Sequence, residues 1–466
     1  LLSAFRLRSF DTSTEVGRSK ERNRRTVQTT LASVLAKAAA LLAGLVSVPL
    51  TFRYLGAERY GVWMVLISMI AAMSFADLGI GNGLMNAVSE AYGKDDESLA
   101  REYVTSALAL MLCIAALLTV AGAVGFRFLP WLRLFNIKSS AIAAEAAIAS
   151  AVLYGSFVVN IPLGVITRTQ AGLQKGYASQ MLTALSSLFS LGFLLVVIWF
   201  HGGLAWLVFG SVFPGIAATA FNGWILFRQH PGLLPAREAF RRSAATKILG
   251  LGLMFFLLQI AYTLSFSSDN IVIAQVLGAA AVAAYAVPQK LFSIAPMLVA
   301  MGITPLWPAY GEALTRGDVE WVRKTFVRSL QYTFLITVSL GAVLTLAGPW
   351  IMRVAIGKTF NVPLSLLVTL SVWGVVNGIS AVLSMLLNGA GVMKVQTIFA
   401  VISSAVNLAL SIFFTRRFGL IGVCLGSIVA QLAIMVPVSL YVIRNLFLTL
   451  EAATARNRSD DATSLA

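Results

Sequence analysis

Apolar residues run along the chain in twelve long stretches, near 30–52, 61–88, 104–126, 142–166, 178–199, 204–226, 248–276, 280–306, 327–349, 363–388, 395–415 and 420–442. Within each run they occupy every side of a helix. Neither the two-residue alternation of barrel strands nor the single apolar stripe of a soluble amphipathic helix is present. About 20 apolar residues cross a ~30 Å hydrocarbon core, and a lone segment in lipid satisfies its backbone only as a helix. The pattern predicts an all-α polytopic membrane protein with twelve transmembrane helices. Composition agrees: 58% of the 466 residues are hydrophobic, 12% are charged, and the mean hydropathy is +0.84.

The polar breaks carry the charge, and their asymmetry sets an orientation. Of 35 Lys and Arg, alternate breaks hold only nine: Arg53, Arg59, Arg127, Arg133, Lys138, Arg353, Lys358, Arg416 and Arg417. Lys37 and Lys290 fall inside spans, and the remaining 24 lie at the N-terminal segment, the C-terminal segment and the other breaks. Basic residues collect on the cytoplasmic side, so both termini are expected there. The net charge of +16 thus reads as attraction to anionic lipid headgroups, not to nucleic acid. The basic run Arg6 to Arg25 precedes no short apolar core with a cleavage site, so no secretory leader is expected.

The longest cytoplasmic break, with Pro231, Gly232, Pro235 and the cluster Arg237, Arg241 and Arg242, separates two similar halves. At an offset of 222, Leu55-Gly56-Ala57 meets Leu277-Gly278-Ala279, and Ala87, Glu90, Ala91, Asp96 and Arg101 meet Ala309, Glu312, Ala313, Asp318 and Arg323. At 216, Gln180 meets Gln396, Gly203-Leu204 meets Gly419-Leu420, and Gly210-Ser211 meets Gly426-Ser427. Several matches fall in a charged break, where apolar bias does not produce them. The expected organisation is a basic N-terminal tail over 1–28, an N-lobe over 29–228, an inter-lobe loop over 229–246, a C-lobe over 247–445 and a cytoplasmic tail over 446–466. Six helices per repeat give both lobes the same orientation, so the halves form two parallel-oriented six-helix lobes, an arrangement found in transporters.

No catalytic constellation is present. The sequence has no Walker-type phosphate loop and no nucleophile elbow. Cys113 and Cys424 lie within spans and His201 and His230 at span edges, which leaves no set of metal ligands. Polar residues inside helices are costly in lipid and are functional candidates by default. Lys290 lies about twelve residues past Gly278, ~18 Å deep, and Asp269 lies nine before it, ~13 Å deep. The two are expected to pair across that hairpin, and Lys37 with Asp77 across the first. The segment Asp77-Leu78-Gly79-Ile80-Gly81-Asn82-Gly83, with Asn86 one turn on, has three glycines that weaken a helix. An interruption there would expose Asn82 and Asn86 to a cavity; close helix packing through small residues is the competing explanation. Asn160, Gln259, Asn270 and Gln289 are further mid-span polar positions, and Pro162, Pro288, Pro296, Pro305 and Pro308 are expected to bend their helices.

The run Arg53-Tyr54-Leu55-Gly56-Ala57-Glu58-Arg59-Tyr60-Gly61-Val62-Trp63, followed by Asp77-Leu78-Gly79, resembles the polysaccharide flippases of the multidrug/oligosaccharidyl-lipid/polysaccharide exporter superfamily. Members carry an Arg-Tyr-Leu-Gly-x-x-x-Tyr-Gly-x-Trp junction between helices one and two and an Asp-Leu-Gly near the end of helix two. Asp269-Asn270, Leu277-Gly278 and Tyr285 are similar to the second-half pattern.

The resemblance implies alternating-access transfer of a polyprenyl-pyrophosphate-linked oligosaccharide from the cytoplasmic to the outer leaflet of a bacterial inner membrane, for O-antigen, capsule or exopolysaccharide synthesis. A diphosphate head needs fixed positive charge in a low-dielectric cavity. On this reading Lys290, with Asn82, Asn86, Asn160 and Gln289, binds substrate, and Asp269 and Asp77 exchange a proton or sodium ion. No cofactor or metal is expected. The expected partners are the lipid bilayer, the lipid-linked glycan and a polysaccharide polymerase and export complex. Three alternatives stand beside it. A cation-coupled multidrug exporter would favour an acid-lined cavity without Lys290, a lipid-linked sugar polymerase would need a large external loop, and a non-transporting scaffold would have little use for buried charge.

Overall fold

The structure, a computed structural model, describes residues 10–73, 77–126, 128, 140–355 and 362–464. The described residues are helical, joined by turns and short 3₁₀ segments, and eleven of the helical stretches are long and apolar enough to cross a membrane. The protein is an all-α, multi-pass membrane protein. It divides into two compact units, Leu1–Leu253 and Met254–Ala466.

In unit 1 the helices are α1 (Glu15–Met73), α2 (Ile80–Gly93), α3 (Glu97–Gly125), α4 (Ser140–Gly172), α5 (Gly176–Trp199), α6 (Leu204–Gln229) and the first part of α7 (Arg242–Leu277). α1 comprises two arms that meet at Gly56, whose φ of 70° lies in the left-handed region that glycine enters without a Cβ penalty. The junction motif fastens this corner: Tyr54 donates to the carbonyl of Gly202 at 2.8 Å, Arg59 pairs with Glu145 at 2.8 Å, and Leu55 and Trp63 are buried.

The second expected span, 61–88, is divided between α1 and α2, with a turn over Asp77–Gly79. Leu78 and Gly79 both have positive φ, 50° and 71°. The expected second span runs through 74–76, outside the described residues, and is not among the eleven stretches. α2 then packs on α3, α4 and α7 through Ile80, Leu84, Ala87, Val88 and Ala91, all at most 1% exposed. A second core joins Leu55, Val62, Trp63 and Leu66 of α1 to Ala146 and Leu153 of α4, Leu194 of α5 and Leu204 and Leu207 of α6.

Unit 2 holds the rest of α7, then α8 (Ala279–Phe292), α9 (Ile294–Ile303), α10 (Leu306–Thr315), α11 (Val319–Ala355), α12 (Leu364–Gly389), α13 (Met393–Phe418), α14 (Ile421–Ala430), a π-turn at Gln431–Met435 and α15 (Val436–Ser464). The expected span 280–306 is segmented at Ser293 and Thr304–Pro305. Pro296 and Pro308 each fall in the first turn of a new segment, where the missing N–H would have no intrahelical acceptor.

The sequence repeat has a counterpart in structure. Gly56 and Gly278 both turn the chain with positive φ, and Asp96 and Asp318 each directly precede the helix α3 or α11. Glu90 pairs with Lys94, and its equivalent Glu312 pairs with Arg316, both at i,i+4. Ala87, Ala91, Ala309 and Ala313 are all fully buried.

Candidate functional site

In unit 2 the polar residues gather where α7, α8 and α14 meet. Asp269 is 3% exposed. Its Oδ2 accepts from the Tyr285 hydroxyl at 2.9 Å, and its Oδ1 is buried without a partner among the described residues. The same hydroxyl lies 3.5 Å from Cys424 Sγ and accepts from Gln289 Nε2 at 3.4 Å. One helical turn separates Tyr285 from Gln289, so the chain Asp269, Tyr285, Gln289 runs from the buried helix contact to a cavity of about 340 Å³. That cavity is lined by Gln289, Lys290, Ser293, Trp373 and Asn377, among others.

The expected ion pair between Lys290 and Asp269 is not formed. Counted from Gly278, Tyr285 lies seven residues along one helix and Asp269 nine along the other, nearly level. Lys290 lies five residues further, ~7 Å deeper and turned by ~140° around α8, so its exposed side chain faces the cavity. Gln289 and Lys290 are thus brought together at one cavity, and Asp269 reaches it only through Tyr285. Asn270, one of the mid-span polar positions, has a buried Oδ1 without a partner among the described residues.

In unit 1 the expected pair of Lys37 and Asp77 is also not formed. Lys37 is exposed on α1, an arm that packs on α5, whereas α2 packs on α4, so the turn that carries Asp77 faces α4. Asp77 Oδ1 accepts from the Gly79 amide at 3.0 Å. The positive charge that faces this carboxylate is Arg168 of α4. Asp77, Gly81, Asn160, Gly164 and Arg168 line a cavity of about 210 Å³. A Cβ on Gly81 would stand 3.0 Å from both Arg168 Nε and Asp77 Oδ2, so this glycine leaves open the space between the two charges. The interruption at Asp77–Gly79 therefore does border a cavity, but Asn82 and Asn86 are not among its lining residues. Gly83 has the other role considered for the glycines: a Cβ there would come 2.6 Å from the Ile248 carbonyl of α7, which makes it a close helix contact.

Arg168 is the residue that reading the spans missed, because it lies two positions beyond the expected end of the fourth. A signal was present. Phe157, Asn160, Ile161, Gly164 and Arg168 all line this cavity, and their spacing of 3, 1, 3 and 4 is that of one helix face.

The family described as "Polysaccharide biosynthesis protein" matches residues 26–314. A Yersinia pseudotuberculosis protein named "Putative O-antigen export protein" is 25% identical over 400 residues, covering 83% of this chain and 88% of its own length. A Salmonella typhi protein named "Putative O-antigen transporter" is 23% identical over 393 residues, with the same two coverages of 83% and 88%. Among solved structures, an outward-facing multidrug resistance MATE family transporter of the MOP superfamily superposes with a TM-score of 0.78 at 17% identity, over 95% of this chain and all of that one. A MOP superfamily transporter from Pyrococcus furiosus, described as having a binding pocket of reversed polarity, gives 0.74 at 16% identity, over 93% and 97%. At these identities the structural likeness concerns the fold.

Proposed function

Because the chain belongs to the polysaccharide biosynthesis protein family, we infer that it is a membrane transporter of a polysaccharide precursor and not an enzyme. The finer reading is that it moves a polyprenyl-diphosphate-linked oligosaccharide between leaflets of a bacterial inner membrane, with both termini cytoplasmic and access alternating between the two sides.

The observation that supports this reading most directly is the Lys290 cavity. A lysine with no ion pair among the described residues, on a membrane helix and beside Gln289 and Asn377, is costly unless it meets an anion or water. A diphosphate supplies the anion, and the neighbouring amides can hydrogen-bond phosphate or sugar oxygens. Asp269, buried and held by one hydrogen bond from Tyr285, serves in this reading as the group that takes up a proton or sodium ion. Asp77 is a second such group.

A multidrug exporter of the same fold class is the second reading, favoured by the superposition on a multidrug transporter. It expects a cavity whose fixed charge is acidic, and both cavities described above contain a basic residue. The deciding experiment expresses the protein in a bacterium lacking its own O-antigen flippase. Restored surface polysaccharide, with a lipid-linked glycan identified by mass spectrometry in the purified protein, supports the transport reading. Resistance to cationic drugs without restored polysaccharide would replace it with the exporter.

A further inference from the structure

The cavity at Arg168 does not stand alone. Beside it lies another of about 260 Å³, and Phe157 and Asn160 belong to both. Among the described residues the second cavity is lined by no charged side chain; hydroxyl and amide side chains dominate its polar lining, among them Ser156, Ser179, Thr183 and Thr219. The hydroxyls of Thr183 and Thr219 donate to backbone carbonyls of their own helices, at 2.9 Å each, and keep their lone pairs for a ligand. Among the described residues, no hydrogen bond engages the side chains of Ser156, Asn160 or Ser179.

The Arg168 guanidinium is likewise attracted to Asp77 without a hydrogen bond to any described residue. Five fixed donors in a low-dielectric site favour a planar or tetrahedral oxyanion that can take two of them at once. Asp77 is poorly placed to be that anion, since one of its oxygens is held by the Gly79 amide and the space between the two charges is open at Gly81.

We propose that these adjoining cavities form one site for a glycosyl diphosphate. Arg168 holds phosphate oxygens in the first cavity. Asn160 stands at the phosphate–sugar junction, the hydroxyl- and amide-lined cavity takes the first sugar, and the ring of Phe157 offers it an apolar face. The site deepens the transport reading and rests on it for the ligand's chemistry, but it is built wholly within unit 1 and is separate from the Lys290 cavity of unit 2. Two sources carry the same chemistry: a lipid-linked glycosyl diphosphate and a soluble nucleotide sugar.

The test uses the full chain with Cys113→Ser and Cys424→Ala, purified in detergent, with a single cysteine introduced by Ser179→Cys or Ser156→Cys. Modification by a small methanethiosulfonate is timed with and without geranyl-diphosphate N-acetylglucosamine. The ligand should slow modification at least fivefold, and Arg168→Met should abolish that protection. Asp77→Asn, which removes the competing carboxylate, should give the same protection at a lower ligand concentration. Where Arg168→Met does not accumulate, Arg168→Lys and Asn160→Ala take its place, and each should weaken protection. Equal protection by uridine diphosphate N-acetylglucosamine would keep the site and assign it a soluble donor.

Transport of the lipid-linked glycan, measured in parallel, separates the two inferences. Normal transport by both wild type and Arg168→Met, with no protection, overturns this site and leaves the transport reading standing. Protection that depends on Arg168, in a protein that moves no lipid-linked glycan, overturns the transport reading and leaves the site.

Discussion

Tyr285 donates its hydroxyl proton to Asp269 across the Gly278 turn at 2.9 Å, and this is the hydrogen bond that holds the buried carboxylate. Its other oxygen, Oδ1, is buried without a partner among the described residues. A carboxylate so placed is sensitive to the loss of its one donor, because an unpaired buried polar group retains its full desolvation cost. Tyr285→Phe should therefore destabilise the protein by about 1–3 kcal/mol. Adding Asp269→Leu should recover much of the loss, since the stranded carboxylate is then gone. Thermal unfolding of the detergent-solubilised single and double variants measures both, and simple additivity would mean that the two side chains are not energetically coupled.

Lys290 behaves differently because it is exposed to its cavity and forms no ion pair with a described residue. Lys290→Met should shift stability by no more than about 0.5 kcal/mol while abolishing transport of the lipid-linked glycan at normal membrane abundance. Lys290→Arg should retain part of the activity, since the charge remains with altered geometry. Asp269→Asn added to Lys290→Met should not restore transport. A double variant with near-normal transport would make the lysine structural and put the substrate site elsewhere.

Glu90, in the last turn of α2, receives hydrogen bonds from Lys94 and Lys247 at 2.7 Å each, and Lys247 also donates to the Tyr103 hydroxyl at 2.9 Å. Partial burial acts to raise the pKa of this carboxyl, but the two lysines outweigh it and hold the value below the ordinary one. A depressed carboxylate pKa adds stability that is complete above the unfolded value, about 4.3, and is lost as the pH falls through the lower folded value. The contribution is that of a half-exposed pair, about 0.5–1 kcal/mol. Unfolding midpoints of wild type and Glu90→Gln should differ near pH 7 and converge on acidification toward pH 3. A gap that is unchanged at low pH would contradict the assignment.

Gly83 lies against the backbone of α7, where a Cβ would come within 2.6 Å of the Ile248 carbonyl and 3.1 Å of the Gly252 amide. Backbone cannot move aside as a flexible side chain can. Gly83→Ala should separate α2 from α7 and cost about 1–3 kcal/mol. Gly164→Ala, with open space at the Cβ position, serves as a control for the helix-propensity effect and should be neutral or slightly stabilising. Equal midpoints for the two variants would exclude the close contact at Gly83.

Orientation is open to chemical labelling. Single cysteines introduced by Gln229→Cys and Ala452→Cys, in a background without Cys113 and Cys424, should resist an impermeant thiol reagent in intact cells and react after lysis. Labelling of either in intact cells would overturn the assignment of both termini to the cytoplasm, which rests on the distribution of Lys and Arg.

The helical membrane class, the Gly56 and Gly278 turns and the correspondence of Glu90 with Glu312 were legible in the chain itself, and the glycines of 77–83 marked the place of the break without deciding between an interruption and close packing. Each depends on information local to a segment or on a repeat spacing. Lipid forces a long apolar run into a helix whatever lies beside it, and a glycine-rich or proline-bearing stretch weakens that helix wherever it occurs. The side-chain partners were not legible in the same way. Depth along a span placed Lys290 opposite Asp269 and Lys37 opposite Asp77, but a helix position also has an azimuth, 100° per residue, and the neighbour that meets it is set by packing. Tertiary structure alone decided that Tyr285 reaches Asp269, that Arg168 and not Lys37 faces Asp77, and that Trp373 and Asn377 share the cavity of Lys290. The physical reason is that backbone hydrogen bonding determines a membrane helix from within, whereas the partner of a buried charge depends on which faces of distant helices pack together, and a one-dimensional pattern constrains that only weakly.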